Sequence, residues 1–357
     1  MEKICVIFGG ASPEHDVSII TGMQCAKYLQ AKYDIEKIYL GLDNIFYYAT
    51  QVEDLTVFAN KSAINLKQVM FCNGLFKKGI AWKKVCDIKC VVNCCHGGIG
   101  ENGNLAGFFE TIGVPFTSCN SLAAGVTMDK SLTKTLVSNI ANIAKGEKVT
   151  KQNNFAAIEK IKLEFDDDLI VKPNALGSSI GVKACNKTDF KKQVAAIFEL
   201  NDHALVEEKI SPMIELNQAC YKKGNNLVLS AIEQPISKQE FLTFDEKYRH
   251  QSKSKVKDRI IPANIPAKLE KQINETTSKI YTELNLNGVV RIDYIFNTQT
   301  KTLYFNEVNT VPGSLAFYLY EPIGIDYISL IEDLLANATT PKKYSYFDTN
   351  ILTKKLL

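Results

Sequence analysis

The chain reads as an α/β protein, α+β in parts, and three features of its pattern predict this. Its first third alternates β-branched apolar runs with segments of helical periodicity, an order that favours a parallel sheet covered by helices. Two glycine-rich turns, Gly9-Gly10-Ala11-Ser12 and the stretch from His96 to Gly103, directly follow predicted strands, at the end of a parallel sheet where ligands sit. Further on, GVVRIDYIFNTQTKTLYFNEVNTVPGS at 288–314 places two β-rich runs on either side of a polar turn, Asn297 to Lys301, and predicts a strand pair.

In chain order, 3–8 is a strand, 16–30 a helix with apolar residues at helical spacing, and 35–40 a second strand. Residues 88–95 form a third strand, and 104–112 a helix stopped by Gly113 ahead of Val114-Pro115-Phe116. A helix is predicted over 128–139, then a strand over 168–173 opening into the loop from Asn174 to Gly181. Asn186-Lys187-Thr188-Asp189 caps a helix that reaches about residue 200, and 204–208 is the next strand. Strands near 214–221 and 226–233 precede a charged loop over 237–259. A long amphipathic helix, 267–284, leads into the hairpin; after Pro312-Gly313 a helical stretch is predicted to residue 337, followed by a peripheral tail.

Length and composition narrow the class. The 357 residues suffice for two or three domains. A net charge of +3 gives no electrostatic case for nucleic acid or an anionic membrane as partner. No apolar run reaches the roughly 18–20 residues that span a bilayer, and the N-terminus enters a strand without the regions of a signal peptide. The ten cysteines lack regular spacing, and Cys5, Cys90 and Cys94 lie in apolar runs where thiols pack as small hydrophobes. A reducing, cytoplasmic setting is expected. Cys94-Cys95-His96 has no second pair at metal-ligand spacing, so it reads as a buried strand end rather than a zinc site.

Side chains alternate faces along a strand, so Arg291 and Asp293 share a face in the first hairpin strand, and Glu307 and Asn309 in the second. If those faces align, three oxygen ligands and a guanidinium converge, a set suited to Mg²⁺ completed by water and substrate phosphates. The alternative is a solvated hairpin with ordinary charges, but the flanking Val, Ile, Tyr and Phe and the Asn-x-x-Pro-Gly ending speak against it. Lys172 lies inside Leu169-Ile170-Val171-Lys172-Pro173, and an ammonium buried there needs an anion. The loop Gly177-Ser178-Ser179-Ile180-Gly181 that follows is either a hairpin turn or a flap covering phosphates, since glycines admit close backbone approach and serines supply donors. Glu207 and Glu208 end the strand through Leu205-Val206, either at a hinge that reads an adenine edge or at a solvated strand end. Neither a P-loop nor a Gly-x-Gly-x-x-Gly after the first strand is present.

Seven motifs then fall in one order: GGASPEHDVS at 9–18, HGGIGENG at 96–103, MDK at 128–130, VKPNALGSSIGV at 171–182, FDEKY at 244–248, VRID at 290–293 and NEVNTVPGSL at 306–315. Together they resemble the ATP-grasp superfamily and, within it, the D-alanine–D-alanine ligases, over nearly the whole chain. The resemblance implies an ATP-grasp fold: an N-terminal parallel α/β substrate-binding domain (1–118), then two lobes that clamp ATP (119–208 and 209–345). The second lobe carries a lid loop (237–259) and the metal site, and a tail (346–357) follows. It implies ATP and two Mg²⁺ ions, with Mn²⁺ possible in their place, small-molecule substrates, and a homodimer.

Position by position, the resemblance assigns Glu14 to the first D-alanine's ammonium, in a hydrogen-bonded group with Ser178 and Tyr248, and His96 to that substrate's carboxylate. Lys130, Lys172 and Lys247 would contact phosphates with Ser178, Ser179 and Asn306 beside them, while Glu207, Glu208, Ile210 and Glu215 would surround adenine and ribose. Asp293, Glu307 and Asn309 would bind the metals, and Arg291 with the Gly313 N–H would meet the oxyanion. His15 is assigned no role. Between Glu208 and Glu215 the chain is one residue longer than many relatives, and after Pro312-Gly313 about four shorter. Closing that gap puts Ser314 and Leu315 at the second D-alanine's carboxylate and keeps Gly324 in register.

The implied activity is ATP-dependent formation of D-alanyl-D-alanine for peptidoglycan through a D-alanyl phosphate. Three rivals stand beside it. A nucleotide-dependent dehydrogenase needs the missing fingerprint. A non-catalytic ATP-binding regulator has no use for Arg291, Asp293, Glu307 and Asn309 together. A D-alanine–D-lactate (depsipeptide) ligase is the closest, but such ligases usually replace the tyrosine-bearing lid that Tyr248 marks here.

Overall fold

The computed structural model describes residues 2–59, 65–236 and 259–342; Lys247, Tyr248, nearly all of the expected lid loop and the tail lie outside the described residues. β1 (Glu2–Gly9) buries Ile4, Val6 and Phe8 on one face and Cys5 and Ile7 on the other, so both faces of its sheet require cover. α1 (His15–Leu29) covers the first face. β2 (Ile35–Leu40), β3 (Phe46–Tyr48), β4 (Val69–Phe71), β5 (Leu75–Lys78) and β6 (Trp82–Asn93) complete a sheet in the order β3-β2-β1-β6-β5-β4. The expected parallel pairing holds for β2, β1 and β6, whereas the remaining neighbours pair antiparallel. The short α2 (Gly98–Glu101) and α3 (Asn104–Ile112) cover the other face, where Leu105 and Phe109 share a core with Cys5 and Ile7.

The contact of α1 on β1 is tight at Gly22, where an added Cβ would lie 2.3 Å from the Phe8 Cβ. Gly22→Ala is therefore expected to destabilise the fold by about 1–3 kcal/mol through overpacking. A denaturant midpoint equal to the wild type's would show that α1 can lift off β1 at no cost.

α4 (Ser121–Met128) and α5 (Lys130–Val137) replace the single helix expected over 128–139. The break falls at Asp129, whose ψ of 101° is extended and whose side chain accepts the Leu132 N–H at 2.9 Å, capping α5. β7 (Asn142–Ile143), β8 (Gly146–Thr150), α6 (Asn154–Glu164), β9 (Asp168–Pro173), β10 (Lys183–Asn186), α7 (Phe190–Ile197) and β11 (His203–Glu208) follow. Strands β10-β9-β11-β8 form an antiparallel sheet, and α6 and α7 pack on it through Ala157, Ile161, Phe190 and Val194.

β12 (Met213–Lys223), β13 (Asn226–Pro235), β14 (Arg259–Ile260), α8 (Ala267–Glu283), β15 (Val290–Asn297) and β16 (Thr302–Asn309) build a third sheet in the order β14-β13-β12-β15-β16-β7. α8 buries Leu269, Ile273, Ile280 and Tyr281 against it, and α4 and α5 add Ala123, Ala124 and Val137 to the same core. The helix expected from 313 to 337 is only half right. Gly313–Leu319 is a 3₁₀ turn in which Ser314, Leu315 and Ala316 have φ of 51°, 53° and 52°. A second short turn, Glu321–Ile323, ends at left-handed Gly324, and α9 (Tyr327–Ala336) begins only after Asp326 caps it. Val311, Leu315, Leu319 and Leu330 join Val6, Phe8 and Ile19 in one core, which brings this irregular turn against the first sheet.

Candidate active site

A cleft opens between the second and third sheets. Lys130, Lys172, Ser179, Glu207, Glu208, Ile210, Glu215, Asn306 and Glu307, all singled out from sequence, line it. β9 and β11 pair so that Lys172 lies opposite Leu205, next to Glu207 two residues along the strand. The anion that Lys172 was expected to need is supplied within the protein: its Nζ is 2.6 Å from Glu207 Oε2 and donates to Asn306 Oδ1 at 3.1 Å. A third residue completes this group. Lys134, from α5, places its Nζ 2.6 Å from Glu207 Oε1. Burial alone would push the Glu207 carboxyl up, but the two ammoniums hold it down at about 2. Lys134 shares its carboxylate with a second lysine, so burial prevails there and pulls it down to about 8. The Glu208 side chain turns aside to the Asp166 N–H at 3.1 Å and Lys145 at 3.4 Å.

The hairpin has the register that converges the predicted faces: Arg291 pairs with Asn309 and Asp293 with Glu307. Arg291 binds Asp293 bidentately, Nε to Oδ1 at 2.7 Å and Nη2 to Oδ2 at 2.8 Å, and Asn309 Nδ2 donates to the same Oδ2 at 3.0 Å. Burial opposes the Arg291 charge, but Asp293 keeps the guanidinium firmly protonated. Glu307 is countered by Lys130, whose Nζ lies 3.2 Å from Oε2 and also donates to Leu176 O at 2.6 Å. Two carboxylates and an amide oxygen, flanked by cations, form a hard-oxygen set that fits Mg²⁺ with phosphate and water as further ligands. Among the described residues no three His, Cys, Asp or Glu side chains cluster in a metal-binding arrangement.

Glu14 meets the loop that joins the antiparallel strands β9 and β10: Ser178 Oγ donates to Glu14 Oε1. Two glycines make room for this carboxylate. A Cβ on Gly177 would lie 2.9 Å from Glu14 Oε2, and one on Gly97, whose φ is +64°, 2.6 Å from it. Ser178 and Ser179 also sit in left-handed backbone, φ 57° and 56°. His96 is buried, with Nδ1 2.5 Å from Val311 O and Nε2 2.8 Å from Thr21 Oγ1. Burial lowers its pKa against the pull of Glu14. Ser314 donates its N–H to Thr21 Oγ1 at 3.2 Å, whereas the Leu315 side chain enters the core, so any substrate contact there comes from backbone. His15, given no role, is a buried brace between Gly10 O at 2.7 Å and the Tyr39 hydroxyl at 3.1 Å.

Three residues of the site went unmarked in the sequence. Lys134 repeats the Lys130 charge one helical turn later, a spacing that reads as a solvated face. Thr21 shares α1 with Ser18, and neither charge nor spacing marks it out. Glu101 was quoted inside HGGIGENG without a role. Its burial, with Glu14 nearby, pushes its carboxyl well up.

The chain matches the family model described as D-ala D-ala ligase N-terminus over residues 3–119 and that described as D-ala D-ala ligase C-terminus over 135–336. A D-alanine–D-alanine ligase of Thermosipho melanesiensis is 31% identical, with 100% of this chain and 99% of that protein aligned. One from Helicobacter acinonychis is 32% identical over 96% of each. Among solved structures, the VanG D-Ala:D-Ser ligase of Enterococcus faecalis superposes with a TM-score of 0.80 at 27% identity, covering 94% of this chain and 98% of that one. The D-alanine–D-alanine ligase of Helicobacter pylori gives 0.77 at 27% identity, covering 96% and 100%.

Proposed function

Because the chain belongs to the D-alanine–D-alanine ligase family, an ATP-grasp fold, we propose that the cleft, the hairpin and the Glu14 loop are the working parts of such a ligase. The enzyme joins two D-alanine molecules to D-alanyl-D-alanine, driven by ATP with release of ADP and phosphate, and so supplies peptidoglycan precursor synthesis. The observation that carries the residue assignment is the convergence of Lys130, Lys172 and Glu307 on one cleft.

In this reading Glu14 holds the ammonium of the first D-alanine while Ser178 closes over it. The substrate carboxylate attacks the γ-phosphorus of ATP, and Lys130, Lys172 and Lys247 surround the phosphates. Asp293, Glu307 and Asn309 would hold two Mg²⁺ ions, which offset charge on the transferring group. The amine of the second D-alanine then attacks the acyl carbon, forming the C–N bond as the C–O bond to phosphate breaks. Arg291 and the Gly313 N–H face the oxyanion that develops. Ser314, with the backbone at Leu315, receives the acceptor carboxylate. Tyr248 is assigned with Ser178 and Glu14 from the resemblance, and segment 237–259 with it is the proposed lid, which the water-sensitive acylphosphate requires. The three parts divide as 1–118 for the first substrate and 119–208 with 209–345 for ATP. The ten cysteines, all free thiols, support a reducing cytoplasm, and among the described residues no helix is long and apolar enough to cross a membrane. Homodimer assembly rests on the resemblance alone, and light scattering would test it.

The likeness to a D-Ala:D-Ser ligase makes the acceptor the point to test. With ATP, Mg²⁺, D-alanine, D-serine and D-lactate offered together, mass spectrometry is expected to find D-alanyl-D-alanine as the main product, and ADP release should require D-alanine. A main product ending in D-lactate or D-serine would move the acceptor assignment. ADP release with L-alanine but none with D-alanine would overturn the substrate.

A further inference from the structure

We propose that Thr21 is a positioning residue for the acyl-transfer half of the reaction: its hydroxyl, with the His96 ring, pins the turn 311–314 that carries the Gly313 N–H. This deepens the ligase reading above and rests on it.

The proton accounting leaves one arrangement for a neutral ring. Val311 O can only accept, so the His96 Nδ1, 2.5 Å away, carries the proton. Nε2 is then a lone pair, and the single Thr21 O–H proton, 2.8 Å away, must be donated to it. The Thr21 oxygen keeps its own lone pairs, and one of them accepts the Ser314 N–H at 3.2 Å. One imidazole and one hydroxyl thus tie down both ends of Val311-Pro312-Gly313-Ser314.

The tether falls where the backbone needs it. Ser314, Leu315 and Ala316 all sit near φ +50°, a region L-residues avoid and hold only where their surroundings over-determine it. Thr21 is fully buried on α1, between Ile19 and Gly22, which lock that helix to Phe8 of β1. The anchor is therefore as rigid as the first sheet. An oxyanion donor must be held to within about half an ångström, and a two-point clamp around Gly313 provides that. Among the described residues the clamp's hydrogen bonds run between Thr21, His96, Val311 and Ser314, whereas Lys130, Lys134 and Lys172 of the cleft pair with Glu307 and Glu207, so loss of the clamp is expected to separate acyl transfer from nucleotide binding.

Thr21→Val keeps the shape and removes the hydroxyl; Thr21→Ser restores it. For Thr21→Val, kcat for dipeptide is expected to fall about tenfold or more, and phosphate released per dipeptide to rise above one. The KM for ATP should stay within twofold, and Thr21→Ser should recover most of the rate with tight coupling. In ¹⁵N-histidine spectra of the wild type, the signals assigned to His96 among the four histidines, and told apart from His15 whose Nδ1 also faces a carbonyl, should show a neutral Nδ1–H ring that Thr21→Val alters and Thr21→Ser preserves. A Thr21→Val enzyme as active and coupled as wild type would sink the proposal, and so would a Thr21→Ser enzyme damaged equally. If Thr21→Val does not fold, Thr21→Ser and the wild-type spectrum still decide, because a His96 ring with no proton on Nδ1 would leave two acceptors facing each other at Val311 O and is incompatible with the clamp. A wild type that makes no dipeptide at all would instead refute the ligase reading.

Discussion

Replacing Glu307 by glutamine is expected to slow ADP release about a hundred- to a thousand-fold, the scale of losing one electrostatic stabiliser of a transition state, while leaving the thermal midpoint in place. Glutamine is isosteric, and the side chain is only part-buried, at 19% exposure, so packing changes little. The hairpin ladder through Asp293 and Glu307 is backbone and survives. What changes is charge. Glu307 is one of two carboxylates in the hard-oxygen set and sits 3.2 Å from Lys130 Nζ, which keeps its bond to Leu176 O in the variant. Fewer negative ligands weaken the hold on a divalent cation, so the Mg²⁺ concentration for half-maximal rate should rise together with the fall in kcat. Turnover that stays at the wild-type level, with an unmoved Mg²⁺ midpoint, would remove the hairpin from metal binding.

How far the sequence foretold this site depends on whether each relation was periodic or tertiary. The alternation of faces along a strand has a period of two, so Arg291 with Asp293, and Glu307 with Asn309, were readable before any pairing was known. The facing register did not follow from the turn alone: pairing counted from Asn297 and Thr302 would set Asp293 opposite Asn306, and an irregularity between Asp293 and Tyr294 shifts it onto Glu307. Lys172 was readable for a different reason: an ammonium inside Leu169-Ile170-Val171 demands an anion, and Glu207 supplies it. Lys134 escaped because its partner Glu207 lies on a strand far along the chain, while its own helix is amphipathic in an ordinary way. The turn after Pro312 escaped for the opposite reason. Ser314-Leu315-Ala316 reads as helical locally, and only burial of Leu315 and the tether to Thr21 turn it left-handed. Short edge strands such as β3 and β4, of three residues each, carry too little pattern to stand out. The helix α6 was passed over because its apolar residues form no strong stripe: Phe155 and Leu163 are exposed while Ala157 and Ile161 are buried.

The charge triad in the cleft gives the largest expected effect on stability. Glu207→Gln should destabilise the protein by about 3–5 kcal/mol at pH 7, the scale of removing one partner from a buried ion pair. Glu207 and both lysines are at most 7% exposed at their side chains, so glutamine strands two ammoniums beside each other out of water. In the wild type the pH dependence has two parts. Glu207 falls from its ordinary 4.5 to about 2 because two ammoniums outweigh burial. That stabilisation, about 3 kcal/mol, is full above pH 4.5 and is lost as pH drops toward 2. Lys134 is lowered from 10.5 to about 8, so its burden is full below 8 and lifts only as pH rises beyond it. Without Glu207, Lys134 must fall further and shed its proton below 8. Between the variant's lysine pKa and 8, the variant therefore gains stability with pH while the wild type does not. The deficit should narrow there by up to about 1.4 kcal/mol per pH unit, and the variant should lack the wild type's loss below pH 4.5 that Glu207 causes. Denaturant unfolding at pH 6, 7 and 8 measures this directly. A deficit under 1 kcal/mol, or one that does not change with pH, would mean that the two lysines reach water without Glu207 and that the cleft is not the dry, charge-balanced site its geometry describes.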